Sequence, residues 1–355
     1  MELQNTIDQA IDILRRWELG DTHFSLTTSG STGEPATIEH SRAALQWSAE
    51  STLNTWFTHS NQPKDNTPLA PIQLCILPLN KAGGFMQLIR SAVWNAPIWI
   101  APASANPFTE SELALLLNGE VLPYTSELWN QYKPNILSIT PMQLQLALKS
   151  ETGQEILNQM HTVLIGGQAM DLQLEKQILE TFPNTRWIHT FGSTETASHF
   201  AGRILSLNTA EYTLTAGSTL NTNKSGEIQI SNPATGGRRI TLHDKIQQTS
   251  DTTFIWLERT NLLVNSGGVK IPIEPLEKEI AQLLNWPLMS FYVAGQPHPI
   301  LGEELTLFTT HSINDMQRII ATLDQLPKLH QPKKILFISE ITISDNGKIV
   351  RKINP

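Results

Sequence analysis

The stretch Thr27-Thr28-Ser29-Gly30-Ser31-Thr32-Gly33-Glu34-Pro35 decides how the rest of this chain is read. It gathers small hydroxyl side chains and two glycines into one loop, between a short strand expected over residues 24–28 and a helix opened by His40-Ser41. Glycine lets backbone N–H groups come close to an anion, and the hydroxyls add donors without bulk. The composition therefore points to phosphate oxygens. The loop departs from G-x-x-x-x-G-K-[ST], because no lysine follows Gly33 at the required place, so the mechanism of that pattern does not transfer. Alone, such a turn also fits a plain flexible loop, and the surrounding sequence has to decide.

With 355 residues, two domains or more are expected. Hydrophobic residues at 40% and charged residues at 16% describe a folded chain rather than a disordered one. A formal net charge of −8 argues against a nucleic-acid surface, while leaving room for a small anion held by local donors. Cys75, the single cysteine, lies in the apolar run 72–77 and reads as a buried strand thiol, which excludes a disulfide framework. No basic-then-apolar leader and no run long enough to span a membrane is seen, so the expectation is a cytoplasmic protein without membrane insertion.

Apolar residues at Leu3, Ile7, Ala10, Ile11 and Leu14 predict a first helix ended near Gly20. Beyond the loop, apolar β-branched runs over 72–77, 98–100, 136–139, 163–165 and 187–189 alternate with helical stretches, which predicts an α/β architecture. Thr109-Glu110-Ser111-Glu112 reads as a capping box ahead of a helix through Leu113, Leu115 and Leu116. Hairpins are expected from Arg203 to about Ile246, and residues from Asn261 carry a helix and strand alternation of their own.

Five patterns in order carry the chemistry. After the hydroxyl-rich loop come Gly166-Gly167-Gln168-Ala169, His189-Thr190-Phe191-Gly192-Ser193-Thr194-Glu195-Thr196, the pair Asp244 and Arg259, and Gly347-Lys348-Ile349-Val350-Arg351. Each has a plain structural reading too: an αβ turn, a strand end with a helix N-cap, two surface charges, a solvated lysine. Together they resemble the adenylate-forming superfamily of acyl-CoA synthetases, nonribosomal adenylation domains and luciferases, over nearly the whole chain. The resemblance implies a large mixed α/β N-terminal domain over 1–260, shortened at its N-terminus, and a small α+β C-terminal lid domain over 261–355. It implies ATP, Mg²⁺ and coenzyme A as ligands. Thr28, Ser29, Gly30, Ser31, Thr32 and Gly33 would close over the β- and γ-phosphates. Gly166, Gly167, Gln168, His189, Thr190, Phe191 and Gly192 would surround the nucleotide. Thr194 and Glu195 would hold the α-phosphate, with Glu195 on the metal, since hard oxygen ligands suit that ion. Asp244 and Arg259 would meet the ribose, and Lys348 would stabilise charge as a carboxylate attacks phosphorus. Gly267 and Gly268 would line the pantetheine passage, although a Gly-Gly hairpin turn fits them as well.

The acid is read from fewer residues. Leu77-Pro78-Leu79-Asn80-Lys81-Ala82-Gly83-Gly84, the helix expected over 83–94 with Arg90 on it, Ser138-Ile139-Thr140-Pro141-Met142-Gln143-Leu144 and Thr196-Ala197-Ser198-His199 resemble the o-succinylbenzoate–CoA ligases of menaquinone synthesis. The resemblance implies an acid site of Lys81, Arg90, Ser138, Thr140, Ser198 and His199, with the Arg90 guanidinium available for a second carboxylate, which its fork shape suits. Arg90 could instead pair with a nearby acid, and Ser138 could cap a strand. Departures from the superfamily pattern are Ala36 after Pro35, His243 and Glu258 where glycines are usual, Asn261 at the hinge, and Lys81 in place of a histidine. They keep two other readings open: adenylation of another aryl or acyl acid for coenzyme A or a carrier protein, and a catalytically weak adenylate-binding protein. A homodimer is also left open.

Overall fold

The computed structural model describes residues 2–27, 37–57, 71–104, 106–108, 112–170, 172–206, 209–260, 262–343 and 349–351. Among these, a thirteen-stranded mixed sheet forms the frame. Its centre is parallel, in the spatial order Arg186–Gly192, Thr162–Ile165, Ile136–Ile139, Gln73–Cys75, Ile98–Ile100. Side chains alternate along each strand, and here both faces are covered, which is why these runs are almost continuously apolar. Leu74, Trp99, Leu137, Val163 and Trp187 face one core together with Leu157, Leu174 and Ile178 of the helices Glu151–Gln159 and Leu172–Thr181. Cys75, Ile98 and Ile100 face the other, against Ile7 and Ala10 of the helix Glu2–Glu18. Burial pushes the Cys75 thiol up to about 12, in keeping with an inert core cysteine.

One predicted helix is a strand instead. Ala114–Leu117 pairs antiparallel with Ile98–Ile100 and with Glu120–Pro123. Asn118 and Gly119, at φ 51° and 82°, make the tight left-handed turn between them. Leu115 lies opposite Trp99 and is fully buried. The helical propensity of the leucines is outweighed by burial at the end of the sheet and by that Asn-Gly turn.

The hairpins expected beyond Arg203 extend the same sheet antiparallel through Glu211–Leu214, Thr253–Arg259, Ile240–Gln248, Glu227–Ser231 and Thr219–Thr222. A separate hairpin pairs His23–Thr27 with Thr37–Ser41, placing Thr27 opposite Thr37 where the chain enters and leaves the hydroxyl-rich segment. Ser41 then caps the helix Arg42–Trp56, its hydroxyl accepting from the Ala44 N–H.

Residues beyond Asn261 form a five-stranded sheet with its own core. Helix Ile273–Leu284 contributes Ile273, Leu276, Ile280 and Leu284 at helical spacing, packed on Phe291, Val293, Leu305 and Leu307. Arg351 returns to this helix, donating to both carboxylate oxygens of buried Glu277 at 3.3 and 2.7 Å. No described helix is long and apolar enough to cross a membrane.

Candidate active site

A cavity of about 230 Å³ opens at the carboxyl ends of the central parallel strands, the place where open α/β sheets gather ligands. Three of these strands deliver polar residues to it. Ser138 and Thr140 follow from Ile136–Ile139, Gly166 and Gly167 from Thr162–Ile165, and Thr190, Gly192 and Thr194 from Arg186–Gly192. The opposite wall is the helix Ala82–Trp94. An added methyl on Gly84 would sit 2.3 Å from the Pro78 carbonyl oxygen, so only glycine lets this helix dock on the Leu77-Pro78 turn.

That helix is buried nearly all round, and it carries Arg90 into the cavity wall at 3% exposure. The acid pairing allowed by the sequence is not made among the described residues, and burial pushes the guanidinium down to about 10. Nor is the guanidinium wholly available. Nη2 donates to Ser198 Oγ at 2.5 Å and lies 3.4 Å from His199 Nδ1. The Nε–H has no partner among the described residues, and the same holds for the buried hydroxyl of Ser138 on the same cavity. Two buried donors without acceptors, one of them cationic, make a site for an oxyanion, because leaving such groups unmatched costs several kcal/mol.

The other predicted residues divide. Lys81 lines the cavity, and its ammonium donates to Thr27 Oγ1 at 3.2 Å, next to the start of the hydroxyl-rich segment. Thr140 lines it too, but its hydroxyl exchanges hydrogen bonds with Gln143 in a capping box of the helix Pro141–Ala147. Thr194 and Glu195 lie on a single 3-10 turn after the strand, with Glu195 exposed. His189 supports the Gly166-Gly167-Gln168 turn from behind the cavity, its ring nitrogens meeting the Gln168 carbonyl at 3.0 Å and the Tyr212 hydroxyl at 2.7 Å. Phe191 packs edge-on against Phe200.

Asp244 and Arg259 face each other across paired strands but do not line this cavity. Asp244 is buried rather than a surface charge, and its Oδ1 accepts from Trp256 Nε1 at 2.9 Å. Trp256 in turn walls a second cavity, of about 300 Å³, between the main sheet and the helix Ile273–Leu284, where the Lys278 ammonium lies 4.1 Å over its ring. Gly267 and Gly268, at φ 60° and 83°, form the turn between the strands Leu263–Ser266 and Val269–Pro272, away from the first cavity. Thr28, Ser29, Gly30, Ser31, Thr32, Gly33, Ala36, Asn261 and Lys348 lie outside the described residues.

Three side chains near the site carry no local signal in the sequence. His40 Nε2 donates to the Thr194 carbonyl at 2.8 Å across 154 residues, Trp256 holds Asp244, and Thr52 reaches His199. No short spacing announces such contacts.

Burial holds several histidines neutral. His189 falls to about 4, His199 lies well below the ordinary 6.5 under burial and the Arg90 charge, and His40 is lowered by burial. The unfolded chain takes up protons on these rings near 6.5, whereas the native fold does not, so stability is lost as pH falls from 6.5 toward 4. For His189 alone the full loss is about 3 kcal/mol. The urea midpoint should accordingly be lower at about pH 5 than at about pH 7.5, and equal midpoints would remove this assignment.

The chain belongs to the AMP-binding enzyme family, whose model matches residues 10–239. Among curated relatives it is 25% identical to the 2-succinylbenzoate–CoA ligase of Listeria monocytogenes serovar 1/2a, over 99% of this chain and 73% of that one. Among solved structures, an acyl-CoA synthetase (AMP-forming)/AMP-acid ligase II-like protein from Dyadobacter fermentans shares 26% identity at a TM-score of 0.58, covering 96% of this chain and 91% of that one. The fold is also that of o-succinylbenzoate CoA synthetase from Bacillus subtilis, solved with its acyl-adenylate intermediate, at a TM-score of 0.66, 17% identity, and coverage of 92% and 67%.

Proposed function

We propose that this protein is an AMP-forming acid–coenzyme A ligase whose acid is 2-succinylbenzoate, placing it in menaquinone biosynthesis and, with its ATP and coenzyme A, in the cytoplasm. The observation that carries the acid is Arg90: a guanidinium buried beside the orphan hydroxyl of Ser138, with no carboxylate of the described chain to match it. A monocarboxylic acid would spend its one carboxylate on the α-phosphate. A dicarboxylic acid has a second to set against Arg90, with Ser198 at its side.

In this reading one carboxylate attacks the α-phosphorus of ATP, forming the acyl-adenylate and releasing pyrophosphate. The thiolate of coenzyme A then attacks the acyl carbon, and AMP leaves. Holding the acid at Arg90 and the nucleotide at the strand ends supplies rate by proximity. Thr28, Ser29, Gly30, Ser31, Thr32 and Gly33 would grip the outer phosphates, with Gly166, Gly167, Gln168, Thr190, Phe191 and Gly192 around the base. Asp244 and Arg259 would take the ribose. Asp244, with one oxygen on Trp256, would offer the other to a hydroxyl. Thr194 would hold the α-phosphate. Glu195 would hold Mg²⁺, since hard oxygen ligands suit that ion. The metal would offset phosphate charge. Residues from Asn261 onward would form the lid bearing Lys348, Gly267 and Gly268, turning between the two half-reactions.

AMP release with ATP and coenzyme A, measured across 2-succinylbenzoate, benzoate, malonate and medium-chain fatty acids, tests the proposal. The expected result is turnover with 2-succinylbenzoate at least about a hundredfold above benzoate, the discrimination a matched buried charge can supply. Preference for benzoate or a fatty acid would overturn the acid; AMP binding without any turnover would overturn the ligase.

A further inference from the structure

His199 stands between Arg90 and the helix Arg42–Trp56. On one side its Nδ1 lies 3.4 Å from Arg90 Nη2; on the other its Nε2 lies 3.2 Å from Thr52 Oγ1. A guanidinium has only N–H donors, so the nitrogen that faces it offers a lone pair, and Ser198 Oγ, also 3.4 Å from Nδ1, donates to that nitrogen while accepting from Arg90. In a neutral imidazole the proton is then on Nε2 and needs an acceptor. Thr52 is that acceptor: it is fully buried, and its own hydroxyl proton is directed to the Ser48 carbonyl at 2.9 Å. The bonds therefore run one way, from Arg90 to His199 to Thr52 to the backbone of Ser48.

Resting on the reading of Arg90 as the acid's partner, we infer that Thr52 is a positioning residue for substrate selection, holding His199 as its Nε2–H tautomer so that His199 and Ser198 together aim the Arg90 guanidinium into the cavity. Without that acceptor the imidazole proton moves to Nδ1 and points at Arg90, and the guanidinium is pushed from its seat. Burial keeps the ring neutral throughout, so tautomer rather than charge is what Thr52 controls.

The test uses the full chain, ¹⁵N-labelled, without ligand, together with steady-state kinetics of Thr52→Val and Thr52→Ser. In the wild type the His199 ¹⁵N shifts should report Nε2–H; an Nδ1–H ring there overturns the proposal with no variant needed. Thr52→Val, which keeps the shape and loses the acceptor, should shift the ring toward Nδ1–H. It should also raise KM for 2-succinylbenzoate about tenfold with KM for ATP nearly unchanged, the size of one hydrogen bond to a charged group. Thr52→Ser should restore both. A purely packing role would move both KM values alike and leave the tautomer alone, and that result would also overturn it. The tautomer is read before any acid is added, so a wrong choice of acid, which the substrate panel exposes, stays distinguishable from a wrong role for Thr52.

Discussion

Arg90→Ala should lower kcat/KM for 2-succinylbenzoate about a hundredfold while leaving KM for ATP within about threefold. Removing one partner of a buried, hydrogen-bonded charge pair costs about 2–5 kcal/mol, and each 1.4 kcal/mol is about tenfold. The loss should fall on the dicarboxylic acid alone. An acid without the second carboxylate should be used no worse by the variant than by the wild type. Stability supplies a second arm. A buried guanidinium without a carboxylate destabilises the ligand-free fold, so Arg90→Met, which keeps the apolar stem, should melt no lower than the wild type. A marked fall in Tm, or an equal rise in both KM values, would show Arg90 to be part of the scaffold.

Lys348→Ala should reduce formation of the acyl-adenylate by about 10²–10³, the cost of losing one preorganised group aimed at developing charge. Thioester formation from a preformed adenylate should persist within about threefold. The split is expected because only the first half-reaction builds negative charge on a pentavalent phosphorus. Lys348 itself is outside the described residues, but the described residues that flank 344–348 are held. Ile349 bridges antiparallel to Ile343, and Arg351 is fastened to Glu277 on the helix Ile273–Leu284. Measuring pyrophosphate exchange and thiolation separately decides the matter. Equal loss in both, or loss in neither, would remove Lys348 from the chemistry.

Much of the fold was legible because it follows from local rules. The central strands are apolar on both faces, and each reads as a short β-branched run. The helices Glu2–Glu18 and Ile273–Leu284 carry their spacing openly, and Ser41 stops one element and starts the next. Residues 113–117 were misleading for a physical reason: leucine and alanine favour a helix in isolation, and only the partner strand at Ile98–Ile100 makes the extended form better. Gly267 and Gly268 stand at the hairpin turn that their sequence equally allowed.

The order of the glycine- and hydroxyl-bearing turns, and their places at strand ends, belong to the sequence alone, since each turn is specified by a few adjacent residues. The state of the proposed acid site belongs to the tertiary structure. Arg90 meets Ser198 across 108 residues and Thr52 meets His199 across 147. Whether a buried arginine finds a carboxylate, or a histidine an acceptor, depends on what the fold brings beside it. No spacing along the chain encodes that.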